Sequence, residues 1–171
     1  MKHSHHFEYG RIILLPLERN DIEELRTLRN REREYFLTTD EVKAENQIKW
    51  YEAYLKKDND IMFKITHKDN PDDFIGAIAV YGIDYEKKTA EIGRTLIDKT
   101  KNNERGLGLE ATKAICLFSF VVLGMHILFA EVLKSNERIL KVDTRAGFYI
   151  SDVADETCYS IEMTRDTLNL Y

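Results

Sequence analysis

The apolar positions change period several times along the chain, and each change marks an element. Residues 11–17 are a short, nearly continuous apolar run that reads as a strand. Asn20, with Glu23 three residues on, has the side chains of a helix start. Ile22, Leu25 and Leu28 then recur at helical spacing through Arg29. A second helix is expected over 44–57, with Ile48, Tyr51 and Leu55 on its inner stripe. From Ile61 the period falls to two, giving strands over 61–67, 74–83 and 89–97. The breaks between them, Lys68-Asp69-Asn70-Pro71 and 84–88, are turn chemistry, so the three strands read as an antiparallel meander.

Helical spacing returns at Leu107, Ala111, Ala114, Ile115, Phe118, Val121 and Val122, in a helix that ends near Gly124. A buried strand over 126–133 follows, then a helix from Asn136 to about Ala146 and a hairpin of 148–153 with 157–163. The expected order is β-α-α-β-β-β-α-β-α-β-β. That is an α/β (α+β) fold with a mixed central sheet, a meander followed by a β-α-β unit, and helices on both faces. No linker or repeat interrupts it, so residues 1–171 read as a single domain, with 1–10 as a flexible tail.

Composition narrows the function. The chain is 43% hydrophobic, 11% aromatic and 32% charged with 2 Pro, which is globular and neither fibrous nor disordered. Its 25 basic and 30 acidic residues leave a net charge of -5, so a phosphate-backbone partner is not expected and nucleic acid drops out. The apolar runs around 115–133 are broken by Ser119, Gly124, His126 and Glu131, so no membrane span is expected. The first residues lack a signal-peptide core, and Cys116 and Cys158 stand alone, which points to a reducing cytoplasm. Five histidines without ligand spacing give no metal site.

The chemically informative stretch is 99–110, KTKNNERGLGLE, where a strand delivers a polar loop and two glycines into a helix. Gly106 and Gly108 allow close approach of a phosphate, the open N–H groups of the helix start favour negative charge, and Lys99, Lys101 and Arg105 add to it. Residues 106–111 also satisfy G-x-G-x-x-A, with Glu131 about twenty residues on, as a dinucleotide fold requires. In such a fold the glycines follow the strand almost at once within alternating parallel units, whereas here a polar loop and a meander precede them.

The element order, the meander, the glycine loop and the later Asn-helix-Gly-Phe segment together resemble the GNAT superfamily of acyl-CoA-dependent N-acetyltransferases. The family loop motif, Arg/Gln-x-x-Gly-x-Gly/Ala, falls on Asn103-Glu104-Arg105-Gly106-Leu107-Gly108, with Asn103 departing at the first position. The family segment Asn-x-x-Ala-x-x-x-Tyr-x-x-x-Gly-Phe falls on Asn136, Ile139, Asp143, Gly147 and Phe148, with departures at Ile139 and Asp143. The resemblance implies acetyl-CoA as co-substrate. Its diphosphate would lie on Asn103 to Leu109, and its pantetheine arm on the backbone of Thr95, Leu96 and Ile97 and on Asn136.

It further implies direct transfer to a primary amine in a ternary complex, with an N–H near Leu96 stabilising the oxyanion. Glu91 is the candidate base, because a primary amine is mostly protonated at neutral pH. Asp143 stands where many members place a Tyr acid. An ordinary Asp is ionised at pH 7, so a raised pKa, another group such as Tyr149, or no acid at all are the alternatives. Cys116 is expected in the core, so no covalent intermediate is indicated.

Residues 28–31 and 47–51, with Trp50, resemble the amino half of bacterial acetyltransferases acting on nucleotide-linked amino sugars, and equally of those acting on ribosomal-protein N-termini. On that resemblance Arg29, Asn30, Phe36 and Tyr81 are the acceptor-binding candidates, with Arg29 and Arg31 suited to acidic or phosphorylated groups. The acceptor is then a small-molecule amine or a protein N-terminus, and the resemblance leaves room for a homodimer. The departures at Asn103 and Asp143 support a second reading, a catalytically weak or inactive acyl-CoA-binding sensor or scaffold.

Overall fold

The computed structural model describes residues 2–36, 38–153 and 155–171. The strands are β1 (Phe7–Tyr9), β2 (Ile12–Pro16), β3 (Asp60–His67), β4 (Gly76–Asp84), β5 (Thr89–Ile97), β6 (Ile127–Leu133), β7 (Tyr149–Asp152) and β8 (Cys158–Thr164). The helices are α1 (Ile22–Arg31), α2 (Ala44–Tyr54), α3 (Leu107–Val121) and α4 (Glu137–Ala146). The strands make one sheet in the order β1-β2-β3-β4-β5-β6-β8-β7. Every neighbouring pair is antiparallel except β5 and β6, which α3 joins as a parallel crossover. The mixed sheet and the meander therefore stand as expected.

Alternation along the strands divides the core. On β3 and β4, Phe63, Ile65, Ile78 and Val80 face α3 and α4, whereas Met62, Ala77 and Ala79 face α1 and α2. Four features differ from the sequence reading. Residues 2–10 are not a free tail: β1 pairs with β2, the Lys2 ammonium donates to the carbonyls of Tyr54 and Asp60, and His3 packs edge-on against Phe63. The helix start lies two residues before Asn20. A 3-10 turn over Arg19–Asp21 precedes α1, so Glu18 caps it and the Glu18 N–H donates to the Asp21 carboxylate at 2.7 Å.

In α2 the buried side is Gln47, Tyr51 and Tyr54, while Ile48 and Leu55 are 43% and 40% exposed. The Tyr54 hydroxyl settles that rotation, accepting from the Met62 N–H at 3.0 Å. At the end of α3, Ser119 and Phe120 take the inner side and Val121 and Val122 turn outward.

Candidate active site

The parallel pairing of β5 and β6 lasts three residues, Thr89 with Ile127, Ala90 with Leu128 and Glu91 with Phe129. Beyond Glu91, β5 stays with β4 and β6 stays with β8, so the two strands part and open a cleft through the sheet. A cavity of about 520 Å³ occupies it, walled by residues 91–96 of β5, 130–133 of β6, α1 and α2 from one face and α4 from the other. On its β5 wall, Ala77 pairs with Leu96 but Ala79 pairs with Gly93, so β5 carries one extra residue against Ile78. Arg94, in that bulge, has φ +54, the left-handed region that non-glycine residues seldom occupy. Gly76 makes the close approach possible, since a Cβ there would lie 2.1 Å from the Leu96 carbonyl oxygen.

Glu91 sits where the strands part and is half-buried. Burial raises its pKa, and the nearby Glu131 carboxylate adds to the rise, while the Tyr81 hydroxyl, donating at 2.6 Å, and the Arg94 guanidinium oppose it. Burial and the facing Glu91 carboxylate push the Tyr81 phenol up in turn, so the proton in this pair stays on Tyr81. Asp143 enters the same cavity from α4, and burial, with no hydrogen bond or charge opposing it, raises its pKa to about 7. Of the alternatives open from sequence for this position, burial on the cavity wall favours a raised pKa. Tyr149 is on the exposed edge strand β7, where its hydroxyl donates to Glu162. Cys116 is fully buried in α3, and burial pushes its thiol well up.

The acceptor candidates divide. Arg29, Phe36 and Tyr81 line the cavity, with Trp50 beside them. The Arg29 guanidinium lies 4.0 Å from the Phe36 ring centre and donates through Nη2 to the Thr38 carbonyl and hydroxyl, while its Nη1 is buried with no hydrogen-bond partner among the described residues. Asn30 is not brought to the cavity. Its amide donates to the Val42 carbonyl and accepts from the Val42 N–H, at 2.9 and 2.8 Å, fixing the segment that leads into α2. Arg31 likewise turns aside and pairs with Asp98 at 2.8 Å. Asn136 caps α4, accepting from the Ile139 N–H at 3.2 Å, and its amide reaches the Tyr35 carbonyl at 3.4 Å on the cavity wall.

The glycine loop lies at the far end of β5. Gly106, at φ +93, is the N-cap of α3 and offers no side-chain cap, so the first N–H groups of the helix remain open. A Cβ on Gly108 would meet nothing nearer than Ile97 at 3.9 Å, which leaves that turn accessible. Asn103, Glu104, Arg105 and Lys99 are exposed, whereas Lys101 is tied to Glu24 and is not free to replace the motif arginine. Leu107 packs into the core and Leu109 against it.

A residue the sequence did not single out, Arg11, braces the loop. Its guanidinium donates to Glu110 at 2.6 and 2.9 Å, to Glu104 at 2.5 Å and to the Arg105 carbonyl at 2.9 Å. No cluster of three or more His, Cys, Asp or Glu side chains able to hold a metal is present among the described residues, and no helix there is long and apolar enough to cross a membrane.

These features match a known family. The acetyltransferase (GNAT) domain model matches residues 11–149, so the chain belongs to the GNAT family and is by class an acyl-CoA-dependent N-acetyltransferase. Glu131 is then a neighbour of Glu91 on the cavity wall rather than the acidic partner of a dinucleotide fingerprint. No curated protein matched in sequence. Among solved structures, a spermidine N-acetyltransferase from Vibrio cholerae in complex with CoA and spermine is similar at 16% identity and TM-score 0.79, over 92% of this chain and 97% of that one. An apo nucleotide-linked sugar GNAT, FdhC, is similar at 18% identity and TM-score 0.84, over 96% of this chain and 92% of that one. A domain from Methanocaldococcus jannaschii is similar at 20% identity and TM-score 0.76, over 92% of this chain and 99% of that one.

Proposed function

We propose that this protein transfers the acetyl group of acetyl-CoA directly to a primary amine of a small molecule that also carries an anionic group. The carrying observation is that the opening between β5 and β6 gathers Glu91, the β5 bulge and Asp143 around one cavity, while the same strand runs on toward the glycine loop. The loop suits the diphosphate of CoA because Gly106 leaves the first N–H groups of α3 uncapped. Thr95, Leu96 and Ile97, next to the bulge, and Asn136 opposite them would hold the pantetheine arm.

In the transfer, Glu91 takes the proton of the attacking amine as the N–C bond forms. An N–H of the bulge near Leu96 holds the carbonyl oxygen while it carries charge. Asp143, protonated below about pH 7, gives its proton to the sulfur as the C–S bond breaks. The anionic part of the acceptor is argued from Arg29. Its guanidinium is fixed on Phe36 and Thr38, its pKa is lowered by burial alone, and one buried nitrogen has no acceptor among the described residues. Such a group on a cavity wall is best satisfied by a carboxylate or phosphate. A nucleotide-linked amino sugar has both the ring and the phosphates, and FdhC is a fold relative of that kind.

Two measurements test this. Calorimetric titration is expected to give binding of acetyl-CoA and none of NAD, with Gly106→Asp weakening acetyl-CoA at least tenfold through charge and lost space at the helix start. Absence of acetyl-CoA binding would overturn the reading, and binding without turnover on any amine would favour the sensor or scaffold. Against a panel of amino-sugar nucleotides, amino-sugar phosphates, spermidine and an N-terminal peptide, the anionic amines are expected to have the highest kcat/KM. Arg29→Ala is expected to raise their KM about tenfold or more, the loss of one charge-assisted contact, with little change for spermidine. Preference for spermidine, unaffected by Arg29→Ala, would replace the anionic acceptor with a polyamine.

A further inference from the structure

On the side of the cavity away from α4, a charged pair without any assigned role meets the bulge. Asp60, at the start of β3, is 3% exposed. The Arg94 guanidinium places one nitrogen 2.9 Å and 3.1 Å from its two carboxylate oxygens. Lys57 lies 3.8 Å from the same carboxylate. Arg94 also lies with its guanidinium carbon 4.1 Å from the centre of the Tyr81 ring, and Tyr81 is the residue whose hydroxyl donates to Glu91. Asp60 faces Tyr81 directly across the β3–β4 ladder, and Tyr81 faces Glu91 across the next. A single lateral row, Asp60, Tyr81, Glu91, therefore crosses three strands, and Arg94 folds back along β5 over the middle of it.

Two properties of the pair call for a function. Arg94 holds a strained backbone conformation that a glycine would adopt freely, and such strain persists only where the surroundings impose it. A buried carboxylate needs a partner, yet a pair of apolar side chains would fill the space at lower desolvation cost. The pair is placed where it fixes two things at once: the path of the bulge backbone, which supplies the N–H for the developing oxyanion, and the plane of Tyr81, which aims the hydroxyl at Glu91.

We propose that Asp60 and Arg94 are positioning residues for acetyl transfer, holding the β5 bulge and the Tyr81–Glu91 hydrogen bond in register with the thioester. This rests on the reading of Glu91 as base and of the bulge as the thioester site. Neither residue touches the reacting atoms in this scheme. Asp60 acts through Arg94, and Arg94 acts through its own backbone and through Tyr81.

The test uses Arg94→Met, which keeps the stem and removes the guanidinium, Arg94→Lys, which keeps only the charge, and Asp60→Asn, which keeps the shape and removes the charge. Each is compared with the wild type for kcat, acceptor KM, acetyl-CoA affinity by titration, the pH profile of kcat/KM and the melting temperature. In folded protein, Arg94→Met is expected to lower kcat at least tenfold while acetyl-CoA affinity falls by a smaller factor, because the loop and helix start that hold the diphosphate are untouched and only the pantetheine contacts next to the bulge are disturbed. The acidic limb of the profile is expected to move to higher pH, since a cation that favours ionised Glu91 has been removed. Arg94→Lys should recover the limb but not kcat, and Asp60→Asn should lower kcat in the same sense.

Unchanged kcat and an unmoved limb in any folded variant, beside an active wild type, would overturn the positioning role alone. Should Arg94→Met not fold, Arg94→Lys and Asp60→Asn carry the same comparison. A wild type that binds acetyl-CoA yet acetylates no amine would overturn the catalytic reading and the positioning role together.

Discussion

Glu91→Gln is expected to lower kcat by about 10²–10⁴ at neutral pH, the range a positioned general base contributes, with melting temperature and acetyl-CoA affinity nearly unchanged. Glutamine has the same length, and its carbonyl can still accept from Tyr81, so the variant removes the proton acceptor and little else. The pH dependence separates this role from a structural one. Glu91 must be ionised to act. Burial and Glu131 hold its pKa above the ordinary carboxylate value despite Tyr81 and Arg94, so wild-type kcat/KM should rise with pH along a limb lying above the usual carboxylate range. In Glu91→Gln that limb is expected to vanish, leaving the rise that follows deprotonation of the amine itself, near pH 10 for an ordinary alkylamine and lower for a sugar-ring amine. The deficit should then narrow as the pH approaches 10, because an amine already neutral needs no base. Steady-state kinetics between pH 5 and 10 measure all of this, and a neutral-pH kcat within about threefold of the wild type would remove Glu91 from the mechanism.

How far the site was legible depended on whether a feature is written in neighbouring residues or across strands. The meander was readable because alternation and turn residues repeat locally, and the observed bounds of β5, Thr89–Ile97, coincide with those expected. The glycine loop was readable for the same reason: a polar run ending in two closely spaced glycines before an apolar helical stripe is a local pattern. The first strand was not, since Phe7–Tyr9 is three residues long and gains its place only by folding back at Gly10 onto β2. Asn30 and Arg29 show the limit of reading side-chain type alone. They are adjacent on α1, yet Asn30 is consumed by Val42, whereas Arg29 lines the cavity and keeps one buried nitrogen without a partner among the described residues.

The bulge was illegible altogether. A register shift is a property of two strands, and nothing in the sequence around Arg94 marks the extra residue. Its partner Asp60 lies 34 positions away at the start of β3, closing a Lys-Lys-Asp-Asn-Asp run that reads as a solvated turn. Sequence thus named a strand that lines the cavity but not the bulge that shapes it.

Asp143→Asn is the variant whose effect on stability has an unexpected sign. A buried carboxyl that would be ionised in water ordinarily costs stability at neutral pH. The folded protein holds the Asp143 proton to about pH 7, against a value near 4 for an unfolded chain. Between those limits the folded state binds more protons than the unfolded one, so stability falls as pH rises from about 4 to 7 and is level outside that window. The three-unit difference amounts to about 4 kcal/mol. Asparagine does not titrate, so in Asp143→Asn that slope should disappear. Its amide brings N–H donors into a place where the carboxyl has no partner, a cost of about 1 kcal/mol that applies at every pH.

The two proteins are therefore expected to cross: the variant slightly less stable than the wild type at pH 4 and more stable by about 3 kcal/mol at pH 8. Denaturant unfolding at the two pH values measures the crossing, and parallel stability curves would show that Asp143 is ionised in the folded state. Activity should move the opposite way. With Asp143 as the acid that protonates the departing thiolate, wild-type turnover falls above about pH 7, and the variant loses that falling limb together with about tenfold in kcat at the optimum. The modest size follows from the leaving group, because a thiolate whose conjugate acid has a pKa near 8.5 departs with little help. A site that is more stable without its acid and slower without it is what a carboxyl retained for proton transfer predicts, and a carboxyl retained for packing does not.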